Sequence, residues 1–112
     1  MKRLIVGISG ASGVIYGIRL LEVLRDVEDV AVHLVMTSAA KRTVVLETGY
    51  SVEDVEALPD ETYRFGDIAA AISSGSFQTM GMVIVPCSVK TLSGVASSYS
   101  DNLLLRAADV VL

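Results

Sequence analysis

Cysteine and histidine occur once each in the 112 residues, as Cys87 and His33. A lone cysteine excludes an internal disulfide and a cysteine-based zinc site, and a lone histidine has no partner for a histidine-based one, so no metal is expected. Basic residues are also scarce: 9 Lys and Arg stand against 13 Asp and Glu, for a formal charge of −4. No basic patch is large enough for nucleic acid. Long apolar runs are missing too. None approaches the roughly 20 residues of a membrane span, and Leu4–Ile8 is too short and too soon interrupted by glycine for a secretory signal. A cytoplasmic address is the expectation. The Walker ending Gly-Lys-Ser/Thr and the Gly-x-Gly-x-x-Gly fingerprint are both absent.

What the chain does have is Gly7, Gly10 and Gly13 at every third position, behind the apolar run Leu4-Ile5-Val6 and just before a helical pattern. Glycines let the backbone turn sharply and approach an anion, and the free N–H groups of a new helix point at it. Ser9 and Ser12 add hydroxyls. The spacing predicts a strand over Arg3–Ile8, a helix over Val14–Val27, a strand over Val30–Met36 and a helix over Ala39–Thr48. Such alternation implies a parallel α/β sheet with ligands outside the carboxyl ends of its strands, which places Thr37-Ser38 on the same edge as the glycine loop. Residues 49–64 read as a charged, solvated excursion around a short helix. A helix is expected over Asp67–Ile72, then a small-residue loop, Ser73–Phe77, able to approach a planar ligand.

Met82–Val85 reads as a third strand, stopped by Pro86. Ser88, Val89, Lys90 and Thr91 then open a helix. A lysine in a first helical turn opposes the helix dipole unless an anion sits there. Cys87 is expected to be a small buried residue and His33 to be structural or solvent-facing, rather than a nucleophile and its base. Glu47, among Val44-Val45-Leu46, is a candidate partly desolvated carboxylate able to handle protons. The residues ending the second strand are Met36-Thr37-Ser38, where a dinucleotide site wants an acid. Hydroxyls there suit a phosphate or flavin mononucleotide better than adenosine ribose. Residues 101–112 read as an amphipathic helix ending on Val110-Val111-Leu112 without a cap or polar tail, the mark of a domain that continues.

Several separated motifs resemble those of the UbiX-type flavin prenyltransferases, within the homo-oligomeric flavin-containing cysteine decarboxylase superfamily. They are Met1 through Leu21, His33–Met36, Leu46-Glu47-Thr48, Ile72–Phe77, Pro86–Leu92, Asp101-Asn102-Leu103 and Arg106–Val110. The resemblance implies an α/β fold, Rossmann-like or flavodoxin-like, with a parallel sheet and helices on both faces. Residues 1–112 would form a single flavin-binding domain, the N-terminal portion of a longer family domain. The implied activity joins a dimethylallyl group from dimethylallyl phosphate to N5 and C6 of reduced FMN, releasing phosphate and making prenylated FMN for a UbiD-type decarboxylase of ubiquinone biosynthesis. By matching position, Gly10, Ala11, Ser12, Thr37, Ser88, Val89, Lys90 and Thr91 would hold FMN, and Ser12 and Glu47 would stand at the reacting groups. The resemblance also implies a homo-oligomer, a dodecamer in the family. Its later segments carry an arginine-glutamate pair, a tyrosine and basic residues for the allyl phosphate, which have no counterparts in this sequence. A flavin-dependent cysteine decarboxylase and a non-catalytic NAD(P)-binding module stay open as alternatives.

Overall fold

The computed structural model describes residues 2–67, 70–98 and 102–111. Within them the chain runs β1 (Lys2–Ile8), α1 (Val14–Leu24), β2 (Val30–Met36), α2 (Ser38–Glu47), α3 (Val52–Glu56), β3 (Glu61–Tyr63), a 3-10 turn (Ala71–Ser73), β4 (Gly81–Ile84), α4 (Val89–Ala96) and α5 (Leu103–Val111). All strand pairs are parallel, and the sheet order is β3-β2-β1-β4. The chain therefore winds outward from β1 through β2 to β3, then returns to the other side of β1. The reversal lies between β1 and β4, and such a switch point opens a crevice at the carboxyl edge of a parallel sheet.

Strand residues alternate between two cores because successive side chains point to opposite faces. Val6, Ile8, Val32, Leu34 and Met36 pack with Val14, Ile18 and Leu21 of α1, with Ala40 and Val44 of α2, and with Val55 of α3. Ile5 and Val35 face the other way, onto Leu103, Leu104, Leu105 and Ala107 of α5 and Ile72 of the 3-10 turn. Both faces of β1 and β2 are thus covered, which is why these strands read as continuous apolar runs.

The predicted α/β architecture is observed, with local corrections. Glu61–Tyr63 is a fourth strand inside the segment expected to be a solvated excursion, paired to β2 from His33↔Glu61 to Val35↔Tyr63. Where a helix was expected over residues 67–72, the described residues hold only the 3-10 turn Ala71–Ser73; residues 68 and 69 lie outside the described residues. The final helix is seen over Leu103–Val111, residues 101 and 112 likewise lying outside them.

The Ser73–Phe77 loop leads to the amino end of β1, away from the carboxyl edge. The Thr79 hydroxyl and the Met80 N–H both donate to the Arg3 carbonyl, at 2.9 and 2.8 Å. The Arg3 guanidinium lies 4.8 Å above the Phe77 ring, a cation–π contact. Phe77 in turn meets His33 edge-on, and His33 shares a 2.8 Å hydrogen bond with the Tyr63 hydroxyl. Of the two expectations for His33, structural or solvent-facing, the buried structural one is observed. Cys87, expected to be buried, is exposed.

Candidate functional site

Three loops leave the carboxyl ends of β1, β2 and β4 and are tied together by backbone bonds. Thr37 N–H donates to the Ile8 carbonyl at 3.0 Å, Val85 N–H to Gly7 at 2.9 Å, and Ser9 N–H to Pro86 at 3.1 Å. The first loop must pass close to α2: a Cβ on Gly10 would fall 2.3 Å from the Ala39 Cβ and 2.9 Å from its carbonyl carbon. Gly13, which precedes α1, has φ of 95°, in the left-handed region where a Cβ is unfavourable.

The second and third loops end in hydroxyl caps. Thr37 Oγ1 accepts from the Ala40 N–H at 2.9 Å and starts α2. Ser88 Oγ accepts from the Thr91 N–H at 3.1 Å and donates to Thr91 Oγ1 at 3.0 Å, starting α4. A Thr or Ser there satisfies one otherwise free N–H of the first turn.

Between these two helix starts lies an open cleft of about 890 Å3. Gly10, Thr37, Ser88, Lys90 and Thr91, all expected site residues, line it. Arg42, Phe65, Asn102 and Leu105 line it as well. Asn102 belongs to the Asp101-Asn102-Leu103 motif of the resemblance, but no motif marked Arg42, Phe65 or Leu105, which only their helical or loop register in the fold brings in. The volume suits a ligand of flavin size, since small-molecule sites span roughly 300–1,000 Å3. Two helix N-termini, two hydroxyls, Lys90 and Arg42 form a donor set for a phosphate monoester, and Phe65 and Leu105 provide apolar surface. The lining therefore fits FMN.

Ala11, Ser12, Val89 and Glu47 stand outside the cleft lining. Ser12 and Glu47 nevertheless meet. Ser12 Oγ donates to Glu47 Oε2 and the Gly13 N–H donates to Oε1, both at 3.3 Å. The Glu47 carboxylate thus sits at the start of α1, where the sequence reading placed an anion. The partial desolvation expected for Glu47 is not seen in this chain: Val45, Leu46 and Glu47 are all exposed. Ser9, expected to offer a hydroxyl to a ligand, is fully buried and bonded within the protein. Among the described residues no cluster of His, Cys, Asp and Glu is arranged to hold a metal, and no helix is long and apolar enough to cross a membrane.

A family profile described as Flavoprotein matches residues 1–112. The chain is 69% identical to the flavin prenyltransferase UbiX of Escherichia coli strain K12, over all of this chain and 59% of that protein. It spans a similar share, 59–60%, of further curated relatives, among them the flavin prenyltransferase LpdB of Lactiplantibacillus plantarum at 56% identity. A dodecameric FMN-dependent UbiX-like decarboxylase from Escherichia coli O157:H7 superposes with a TM-score of 0.96 and 53% identity, over 97% of this chain and 59% of that one. AnUbiX (PadA1), solved with FMN and dimethylallyl pyrophosphate, superposes with a TM-score of 0.94 and 44% identity, over 97% and 57%.

Proposed function

The chain belongs to the flavoprotein family, and from that premise we propose that it is the flavin-binding portion of a flavin prenyltransferase. The protein transfers a dimethylallyl group from dimethylallyl phosphate to reduced FMN. The observation that carries this reading is the cleft lined by Gly10, Thr37, Ser88, Lys90 and Thr91, with its phosphate-type donors and flavin-sized volume. Its 69% identity to a flavin prenyltransferase and its likeness to a structure holding FMN and dimethylallyl pyrophosphate support it.

When bound, reduced FMN supplies the electron-rich N5 and C6 that take up the five-carbon unit as phosphate leaves. The protein's part is binding and charge. The α2 and α4 N-termini with Lys90 and Arg42 attract phosphate, and donors fixed before reaction stabilise charge without reorganising. The Ala11 backbone, beside Gly10 in its loop, and Val89, the first residue of α4 after its cap Ser88, border the flavin. Ser12 and Glu47 form the proton-handling pair, Glu47 as acceptor and the Ser12 hydroxyl as its oriented donor. The product serves a UbiD-type decarboxylase, and the assembled protein is a homo-oligomer, as the dodecameric relative suggests. The setting is the cytoplasm, where the exposed lone thiol of Cys87 stays reduced.

The test is anaerobic incubation of the chain with reduced FMN and dimethylallyl phosphate, following flavin mass and phosphate release. Gain of one C5H8 unit with one phosphate released is expected from a competent protein. FMN binding without that gain assigns the transfer step to residues outside this chain. A folded sample that binds no FMN overturns the flavin reading. The likeness to an FMN-dependent UbiX-like decarboxylase favours a second reading, decarboxylation by the protein itself. Release of CO2 from a hydroxybenzoate without any partner would establish it.

A further inference from the structure

We propose that Ser9 is a positioning residue: its buried hydroxyl sets the distance between the glycine loop and the start of α4, and so fixes the cleft for flavin. This rests on the reading of the cleft as an FMN site. Ser9 has no exposed surface. Its Oγ accepts from the Ser88 N–H at 2.6 Å and donates to the Pro86 carbonyl at 2.8 Å. Its own N–H donates to the same carbonyl at 3.1 Å. One residue of the β1 loop thus holds both the carbonyl and the amide that bracket Cys87, 77 and 79 positions away in sequence.

The consequence runs through Ser88, which caps α4 with its side chain while its N–H is held by Ser9. Ser88, Lys90 and Thr91 line the cleft on one side, and Gly10, the neighbour of Ser9, lines it on another. Without the Ser9 hydroxyl the Pro86 carbonyl keeps the Ser9 N–H, but the Ser88 N–H loses its acceptor. A partly buried donor without a partner is costly enough to move the segment that carries it. The α4 start would then shift relative to Gly10, and with it the donors that face the ligand.

The test compares FMN dissociation constants, by flavin fluorescence, for the wild-type chain, Ser9→Ala and Ser9→Thr, with circular dichroism to establish folding. Ser9→Ala is expected to weaken FMN binding about tenfold, which corresponds to ~1.4 kcal/mol. Ser9→Thr, which keeps the hydroxyl, should restore binding to within about threefold of wild type. The bound flavin's visible absorption should shift in Ser9→Ala and return in Ser9→Thr, a signature that lost stability alone does not produce. A folded Ser9→Ala protein with wild-type affinity and an unchanged flavin spectrum overturns the proposal. If Ser9→Ala does not fold, Ser9→Cys, near in size and weak in hydrogen bonding, is read against the same expectations. Failure of the wild-type chain to bind FMN would sink the underlying flavin reading, whereas equal binding by wild type and variant sinks only the role of Ser9.

Discussion

Gly10 and Glu47 carry two different kinds of constraint. At Gly10 the limit is space. An added Cβ would lie 2.3 Å from the Ala39 Cβ and close to Ala39 backbone, so relief requires moving the start of α2. Overpacking of this kind costs about 1–3 kcal/mol. Gly10→Ala should lower the urea midpoint accordingly and weaken FMN binding in the same protein. Unchanged stability would mean that the loop and α2 are not in the close contact observed. At Glu47 the limit is chemistry. The side chain is exposed and, among the described residues, bonds to Ser12 and Gly13, so Glu47→Gln keeps the shape and most of the hydrogen bonding while removing the proton acceptor. A general acid–base group contributes about 10²–10⁴ in rate. In a protein that carries out the transfer, Glu47→Gln should cost at least ~100-fold in turnover and leave FMN affinity within a few-fold of wild type. Equal losses in binding and turnover would make Glu47 a cap for α1 rather than a proton carrier.

At the scale of elements, the cleft depends on two helices beginning where they do. Thr37 starts α2 through its hydroxyl, and Thr37→Ala should destabilise the protein by ~1 kcal/mol, the usual cost of losing such a cap. Urea denaturation measures this, and Thr37→Ser, which retains the oxygen, should recover most of it. These starts were readable in the sequence because a hydroxyl before a helical pattern has a local cause, as does a strand buried on both faces. Thr37, Ser88, Lys90 and Thr91 were found this way. β3 was not, since Glu61-Thr62-Tyr63 is short and polar and becomes a strand only by pairing with β2. Arg42 and Phe65 enter the cleft from segments with no local signal, brought there by the winding of the chain. The Ser9 bond to Ser88 and the Ser12 bond to Glu47 join residues 79 and 35 positions apart. Composition and spacing at either end contain nothing of such contacts.

For the molecule as a whole, a group that couples stability to pH near neutrality is His33, on the face of the sheet away from α1 and α2. Burial pushes its pKa below the ordinary 6.5, aided by Arg3 of β1 and opposed by Glu61 of β3 and by Asp60 just before it. The uncharged ring shares its Nδ1 with the Tyr63 hydroxyl and lies against Tyr63 and Phe77, joining β2 to β3 and to the loop before β4. The unfolded chain takes up its proton at about 6.5 and the folded chain only at lower pH. Between those two values the unfolded state holds more protons, so stability rises with pH across that window. His33 therefore contributes no penalty above about pH 6.5, and the folded state is progressively disfavoured as pH falls through that value toward the folded pKa. Urea midpoints at a series of pH values from about 8 down to 5 should decline for wild type from near 6.5 downward. His33→Gln, which cannot titrate, should start from a lower midpoint because the Tyr63 contact is altered, yet follow a flatter course through the same range. Carboxylates that protonate at lower pH are common to both proteins, so the difference between the two curves isolates the imidazole. Parallel curves would mean that His33 takes up its proton equally in the folded and unfolded chains, and that the burial of the ring against Tyr63 and Phe77 does not hold it uncharged.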